Sequence, residues 1–241
     1  MEARVFFSVD EADPAELQDR TVVVIDVLRA TSTIVSALAS GARAIYPVAS
    51  SEEAVRLASS LGRENTLLCG ERRGLKIPGF HLGNSPQEFT PAEVEGRQLV
   101  MSTTNGTRAL HAASGASRIV VGSLLNLSAT VRAAAEAEQL AIVCAGREGR
   151  FALEDALCAG LLLERAEEAR GSPLEMDDAG RAVRLLASRL TPDAELLKSV
   201  AAGRALVEIG LVLDVEHCAR IDLHDIVPEM QDRMIRLANV S

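Results

Sequence analysis

The chain repeats one pattern: a short apolar run rich in β-branched residues, a polar or glycine-containing break, then a stretch with apolar positions at helical spacing. Such a series is the sequence form of successive β-α-β units. The runs predict strands over 4–9, 21–26, 42–48, 66–69, 98–102, 118–122 and 140–144. Most are continuously apolar rather than alternating, which belongs to strands covered on both faces. The expected architecture is therefore a three-layer α/β/α fold around a mostly parallel or mixed sheet.

Helix starts are marked by Ser50 or Ser51 before Glu52 and Glu53, and by Asn126 or Ser128 before the alanine-rich stretch 129–137. From Leu153 the pattern becomes helix after helix, giving a helix-rich C-terminal third: 153–170, 177–189, and from 192 past 203. Gly171, Ser172 and Pro173 separate the first two, and Thr191 with Pro192 reads as a cap followed by proline at the first helical position. The segment 218–227 reads as a strand carrying Asp222 and Asp225. Residues 70–91, with four glycines, three prolines and no sustained period, read as a long loop, and loops of that length usually carry function.

At 241 residues the chain is expected to form a single α/β domain, 1–241, or two intimately packed halves. Hydrophobic residues make up 48% but aromatic ones only 2%, so the core must be built from Val, Leu, Ile and Ala. No apolar run approaches the roughly 18 residues of a bilayer span, and no basic-then-apolar leader opens the chain; the expectation is a cytoplasmic protein without a membrane partner. Cys69, Cys144, Cys158 and Cys218 lack Cys-x-x-Cys spacing and read as free, buried thiols. A net charge of −9 and the scarcity of aromatic platforms argue against nucleic acid. Only two of the 25 basic residues are lysines, so nearly every fixed positive charge is a guanidinium, suited to gripping oxyanions with two hydrogen bonds. Nothing in the sequence fixes an oligomeric state.

Three segments could carry chemistry. The first is an apolar strand ending in Asp26, followed by Arg29 and by Thr31, Ser32 and Thr33 at a helix start. A helix N-terminus beyond a strand end is receptive to anions, although Asp26 and Thr31 could equally be turn and cap residues. The second has the same layout, with Ser102, Thr103, Thr104, Asn105, Gly106, Thr107 and Arg108 after a strand. The third places Gly146, Arg147, Glu148, Gly149 and Arg150 after a strand, then Glu154 and Asp155 in the first turn of a helix, where carboxylates also simply complement the dipole.

Asp26, Glu71 and Asp155 each follow an expected strand, and a parallel sheet would bring them to one edge. An acidic protein that holds an anionic substrate beside carboxylates needs a divalent cation between them, which points to Mg²⁺ bound by a few carboxylates, water and phosphate oxygens. The four histidines show no zinc-type pairing; His81, in the glycine-rich loop, is a candidate proton donor to a leaving alkoxide, and His111 reads as structural. Position 28 is Leu where an aspartyl-phosphate mechanism would want a second Asp, so attack by water is favoured over an Asp26 phosphoenzyme. A non-catalytic binder or sensor of phosphorylated metabolites could use the same cradles.

Taken in order, Val-Ile-Asp-Val-Leu-Arg-Ala-Thr-Ser-Thr, Gly-Glu-Arg-Arg-Gly with Gly-Phe-x-Leu-Gly-Asn-Ser-Pro, Ser-Thr-Thr-Asn-Gly-Thr-Arg-Ala, Cys-Ala-Gly-Arg-x-Gly with Glu-Asp-Ala, and Cys-Ala-Arg-x-Asp resemble the 2-phosphosulfolactate phosphatase family. The likeness runs from about Arg4 to Pro228. It implies an α/β enzyme that uses Mg²⁺ to hydrolyse 2-phospho-3-sulfolactate, or a similar small phosphorylated hydroxy acid, to 3-sulfolactate and phosphate, a step of coenzyme M biosynthesis. Carried onto this sequence, it points to Asp26, Glu71 and Asp155 as metal or catalytic carboxylates. Arg29, Arg72, Arg108 and Arg147 become the expected anion grips, with Asn84 and Ser85 beside them.

Overall fold

The continuous apolar runs become the inner strands of one sheet. The computed structural model describes residues 1–238. Among these, the strands are β1 (Glu2–Phe6), β2 (Thr21–Ile25), β3 (Ala44–Pro47), β4 (Thr66–Arg72), β5 (Leu75–Lys76), β6 (Gln98–Ser102), β7 (Arg118–Gly122), β8 (Gln139–Cys144), β9 (Glu175–Met176), β10 (Pro228–Gln231) and β11 (Met234–Leu237). Their spatial order is β5-β4-β6-β3-β11-β10-β7-β2-β8-β1-β9. The helices are α1 (Pro14–Leu17), α2 (Ala30–Ala39), α3 (Ser51–Leu61), α4 (Pro91–Val94), α5 (Gly106–Ala112), α6 (Leu127–Ala135), α7 (Leu153–Arg170), α8 (Asp178–Ala187), α9 (Ala194–Ser199), α10 (Ala201–Glu208) and α11 (Val212–Cys218). None is long and apolar enough to cross a membrane, among the described residues.

Two groups of parallel strands make up most of the sheet: β4, β6 and β3 in one, and β7, β2, β8, β1 and β9 in the other. The antiparallel β10–β11 hairpin lies between them, and pairs antiparallel with β7 on one side and β3 on the other. Three antiparallel steps in succession mean that the two groups run in opposite senses. The convergence of strand ends expected from a simple parallel sheet therefore has a different cause here. One apolar core, built around Ile34 and Leu38 of α2 and Leu110 of α5, takes Leu99 and Met101 from the first group and Val22 and Val24 from the second. Both groups wrap the same pair of helices, and the loops that lead into those helices meet.

The intervening residues face the other way. Val23 and Ile25 pack with Leu127 of α6 and Leu162 of α7, while Val100 packs with Ala54 and Ala58 of α3. Helices thus cover both faces of the sheet, the arrangement that continuously apolar strands require.

Local signals explain most boundaries. Ser50 caps α3 by accepting the Glu53 N–H at 3.1 Å, and α7 ends at Gly171 with φ of 65°. Other boundaries differ from expectation. Strand β4 runs on to Arg72, because its last residues pair with β5 in a small hairpin, so Glu71 lies within a strand and not after it. The cap of α9 is Asp193, accepting the Leu196 N–H at 2.8 Å, in place of Thr191 and Pro192. Residues 218–227 hold no strand: α11 ends at Cys218 and irregular chain follows. The unforeseen hairpin after it turns on Asp232 and Arg233, with φ of 51° and 62°. That pair of left-handed residues suits a two-residue β-turn but lacks the Asn-Gly signature that would announce it.

Candidate active site

The loops after β2, β6 and β8 and the β4–β5 turn surround a cavity of about 330 Å³. Five carboxylates line it: Asp26, Glu71, Glu148, Glu154 and Asp155. All but Glu148 are buried.

Asp26, Asp155 and Glu71 are placed by backbone N–H groups. Asp26 Oδ1 accepts the Ala30 N–H at 3.2 Å, capping the first turn of α2 in place of Arg29. Asp155 bridges two strand ends, with Oδ1 accepting the Val27 N–H at 2.8 Å and Oδ2 the Gly146 N–H at 3.2 Å. Glu71 joins its own hairpin to the β6 loop, taking the Thr104 N–H on Oε1 and the Gly74 N–H on Oε2, both at 2.8 Å. Glu154 forms no hydrogen bond to another described residue. Gly106 explains how tightly these loops pack: a Cβ built there would stand 2.4 Å from the Ala30 Cβ and 2.7 Å from Asp26 Oδ2.

Burial and mutual repulsion dominate the electrostatics. Burial, with Glu71 and Glu154 nearby, pushes the Asp26 carboxyl up to about 7, against the opposing pull of the Ala30 N–H and Arg29. Burial also raises Glu154, partly offset by its own backbone N–H and by Arg147. Asp155 is pushed well above the usual carboxylate range by burial, Glu154 and Asp26, although two N–H groups favour its charged form. Such a set accommodates either protons or a cation.

The arginines divide sharply. Arg29 lines the cavity but is tied down, donating to Asp214 Oδ2 of α11 at 2.6 Å and to the Gly74 carbonyl at 2.8 Å. That ion pair has side chains only 3% and 4% exposed, and Ser85 donates a further 2.6 Å hydrogen bond to Asp214 Oδ1. Arg147 lines the cavity and donates to the Ala201 carbonyl of α10. Arg72 turns away, binding the Glu71 carbonyl and Ser102, whereas its neighbour Arg73 faces the cavity. Arg108 pairs with Asp10 on an exposed face, outside the cavity.

The hydroxyls divide in the same way. Thr31 closes the β2 loop, accepting the Asp26 N–H and donating to the Asp26 carbonyl, each at 2.9 Å. Ser32 donates to the Val27 carbonyl and Thr33 to the Asn84 carbonyl, so these three build the loop and do not line the cavity. Thr103, Thr104 and Asn105 do line it, while Gly106 and Thr107 lie behind, Thr107 in reciprocal hydrogen bonds with Thr103. Asn84 is at the wall, with a buried Oδ1 that has no protein partner. His81 is outside: its Nδ1 accepts the Leu68 N–H at 2.9 Å, which holds the glycine-rich turn against β4.

Asp214, Arg73 and the face of α10 bearing Ala202, Ala205 and Leu206, with Ile209 just past its end, are additions from the structure, and Glu154, noted in the sequence beside Asp155, joins the carboxylates of the site. Glu154 had a signal, since it adjoins Asp155 at the start of a helix buried on most sides. Asp214 had none, because an acid on a short helix ordinarily faces water.

A mixed α/β fold with buried carboxylates, guanidinium groups and hydroxyl-bearing turns around one cavity is the framework of a small-anion enzyme. The family model described as 2-phosphosulpholactate phosphatase matches residues 6–233. The chain is 43% identical over 224 residues to a probable 2-phosphosulfolactate phosphatase of Symbiobacterium thermophilum, covering 92% of this chain and 96% of that protein. It is 39% identical over 223 residues to a protein of the same description from Caldanaerobacter subterraneus subsp. tengcongensis, covering 92% of each. A third such relative, from Thermotoga petrophila, is 41% identical over 212 residues, 88% of this chain and 89% of that one. The chain belongs to the 2-phosphosulfolactate phosphatase family and is thereby a phosphoric monoester hydrolase.

Proposed function

We propose that the protein catalyses Mg²⁺-dependent hydrolysis of 2-phospho-3-sulfolactate, or a closely similar phosphorylated hydroxy acid, to 3-sulfolactate and phosphate, in the cytoplasm and as a step towards coenzyme M. The observation that carries the reading is the meeting of Asp26, Glu71, Glu154 and Asp155 in one cavity with Arg29, Arg147 and the Thr103–Asn105 turn.

Among the described residues no three His, Cys, Asp or Glu side chains form a ready-made metal cage. Mg²⁺ needs few protein carboxylates and keeps its remaining positions for water and phosphate oxygens. Asp26 is its natural anchor, because Oδ2 carries no hydrogen bond and the carboxyl feels both Glu71 and Glu154. Glu71 or Asp155 would be the second carboxylate, each oxygen keeping one lone pair beyond its N–H partner. When bound, the cation would offset the repulsion between carboxylates and phosphate and polarise the phosphoryl group.

The chain's own groups supply the rest. Thr104 and Asn105 offer donors to phosphoryl oxygens, and Arg29, held in place by Asp214, turns its remaining N–H groups towards the same ester. Asn84 Oδ1 is an acceptor for the attacking water. Water attacks phosphorus, the ester P–O bond breaks, and the released alkoxide takes a proton. Glu154, whose carboxyl burial raises above the usual carboxylate range, stands at the cavity wall and supplies it, regaining a proton from the water that attacked phosphorus. Release of inorganic phosphate from 2-phospho-3-sulfolactate tests the proposal: it should cease in EDTA and return with Mg²⁺. Binding of the ester without any turnover would replace this reading with that of a metabolite sensor.

A further inference from the structure

We propose that Arg73 and Arg147 form a subsite for the sulfonate that is not transferred. The inference rests on the phosphatase reading above and adds what holds the far end of the substrate.

Helix α10 lays Ala202, Ala205 and Leu206 along the cavity, at i, i+3 and i+4 of one helical face, and Ile209 just past its end continues the wall. Arg147 is fixed at the start of that helix by its bond to the Ala201 carbonyl. Arg73 lies at the other end, where the adjoining Gly74 approaches so closely that a Cβ built on it would be 2.8 Å from Ile209 Cδ1. Two guanidinium groups thus bracket an apolar wall in the cavity that also holds the carboxylates.

Charge ranks the three arginines of the cavity, with Arg73 the least engaged. Arg29 is neutralised by Asp214 at 2.6 Å, and Arg147 shares its charge with Glu154. Arg73 makes no hydrogen bond or ion pair with any described residue, although it faces the cavity. Its backbone sits in the left-handed region with φ of 54°, in a turn closed by the bond from the Gly74 N–H to Glu71 Oε2. A non-glycine residue held in that conformation, with a free cation aimed into a site, is the pattern of a binding residue.

A sulfonate is permanently charged and carries three acceptor oxygens, enough for two guanidinium forks approaching from different sides. The methylene that joins it to the ester carbon would face the apolar side of α10. The carboxylates that favour a cation repel the sulfonate, so the free guanidinium end of the cavity is where it belongs.

The experiment compares kcat/KM for 2-phospho-3-sulfolactate and for 2-phospholactate, which lacks only the sulfonate, in wild type, Arg73→Gln and Arg73→Lys with Mg²⁺ present. The preference for the sulfonated ester should fall at least ~10-fold in Arg73→Gln, through KM, and less in Arg73→Lys. An unchanged preference, whether both esters lose equally or neither does, overturns the subsite. Calorimetric binding of 3-sulfolactate and lactate reads the same subsite without turnover. Selectivity for 3-sulfolactate that disappears in Arg73→Gln upholds it even if phosphate release were absent and the phosphatase reading failed. Equal affinity of the wild type for the two acids overturns it.

Discussion

Asp26 and Arg29 leave the same strand end three residues apart, yet they sit in opposite electrostatic situations. Arg29 is buried against Asp214, with Ser85 and the Gly74 carbonyl completing the arrangement. Asp26 is equally buried but faces other acids, and its carboxyl is driven up to about 7. The first region is internally balanced and holds three chain segments in register. The second is left unbalanced, and its repulsion is relieved only by protons or by a bound cation. A charge with a partner positions the site, and a charge without one is available to a ligand.

Substitution at Asp26 should break this contrast most severely. Asp26→Asn should lower turnover at least ~1000-fold, because the anchor for the cation is lost. The same variant should not be less stable. The Asp26 pKa is raised on folding, so between about pH 4 and about pH 7 the native chain keeps a proton that the unfolded chain has released. That contribution is complete at the acid end and is lost as the pH rises through about 7. Urea titrations in EDTA should therefore show Asp26→Asn gaining on wild type from pH 5 to pH 8, by up to a few kcal/mol. A constant difference would mean that Asp26 is not strained by burial.

The balanced region should respond in the opposite way. Asp214→Ala should cost about 3–5 kcal/mol, since the Arg29 guanidinium is left buried without its partner. Replacing Arg29 and Asp214 together by apolar residues should restore much of that stability without restoring activity. Equal losses in the single and double variants would show that the pair does not act as a unit. Gly106→Ala tests the contact between the regions: the added methyl group has no room beside Ala30 and Asp26 Oδ2, and should cost about 1–3 kcal/mol together with turnover. The smallest effect belongs to a site remote from both, where Ser50→Ala should remove about 1 kcal/mol from the start of α3 and leave phosphate release unaltered.

The strands Gln98–Ser102 and Arg118–Gly122 and the helix Leu153–Arg170 could be read residue by residue, because an apolar run bounded by polar residues or a terminal glycine leaves little choice of register. The β10–β11 hairpin could not. Its strands are four residues each, and its turn uses Asp232 and Arg233 where glycine or asparagine would have been visible. The same limit governs the site. Asp26, Asp155 and the Thr103–Asn105 turn follow strands and were legible from that position alone. Whether Arg72 or Arg73 enters the cavity depends on one left-handed residue in a tight turn, which composition does not encode. Thr31, Ser32 and Thr33 look the same in sequence whether they bind a ligand or brace their own loop, and here they brace it.

The place of that hairpin bears on how the chain matures. Residues 228–237 follow every other described strand along the chain and so leave the ribosome after them, yet they fill the middle of the sheet. Until they are made, the strand groups on either side have no common neighbour, and pairings this remote along the chain close slowly. Substitutions in this C-terminal stretch can thus impair assembly of a cavity to which it contributes no side chain.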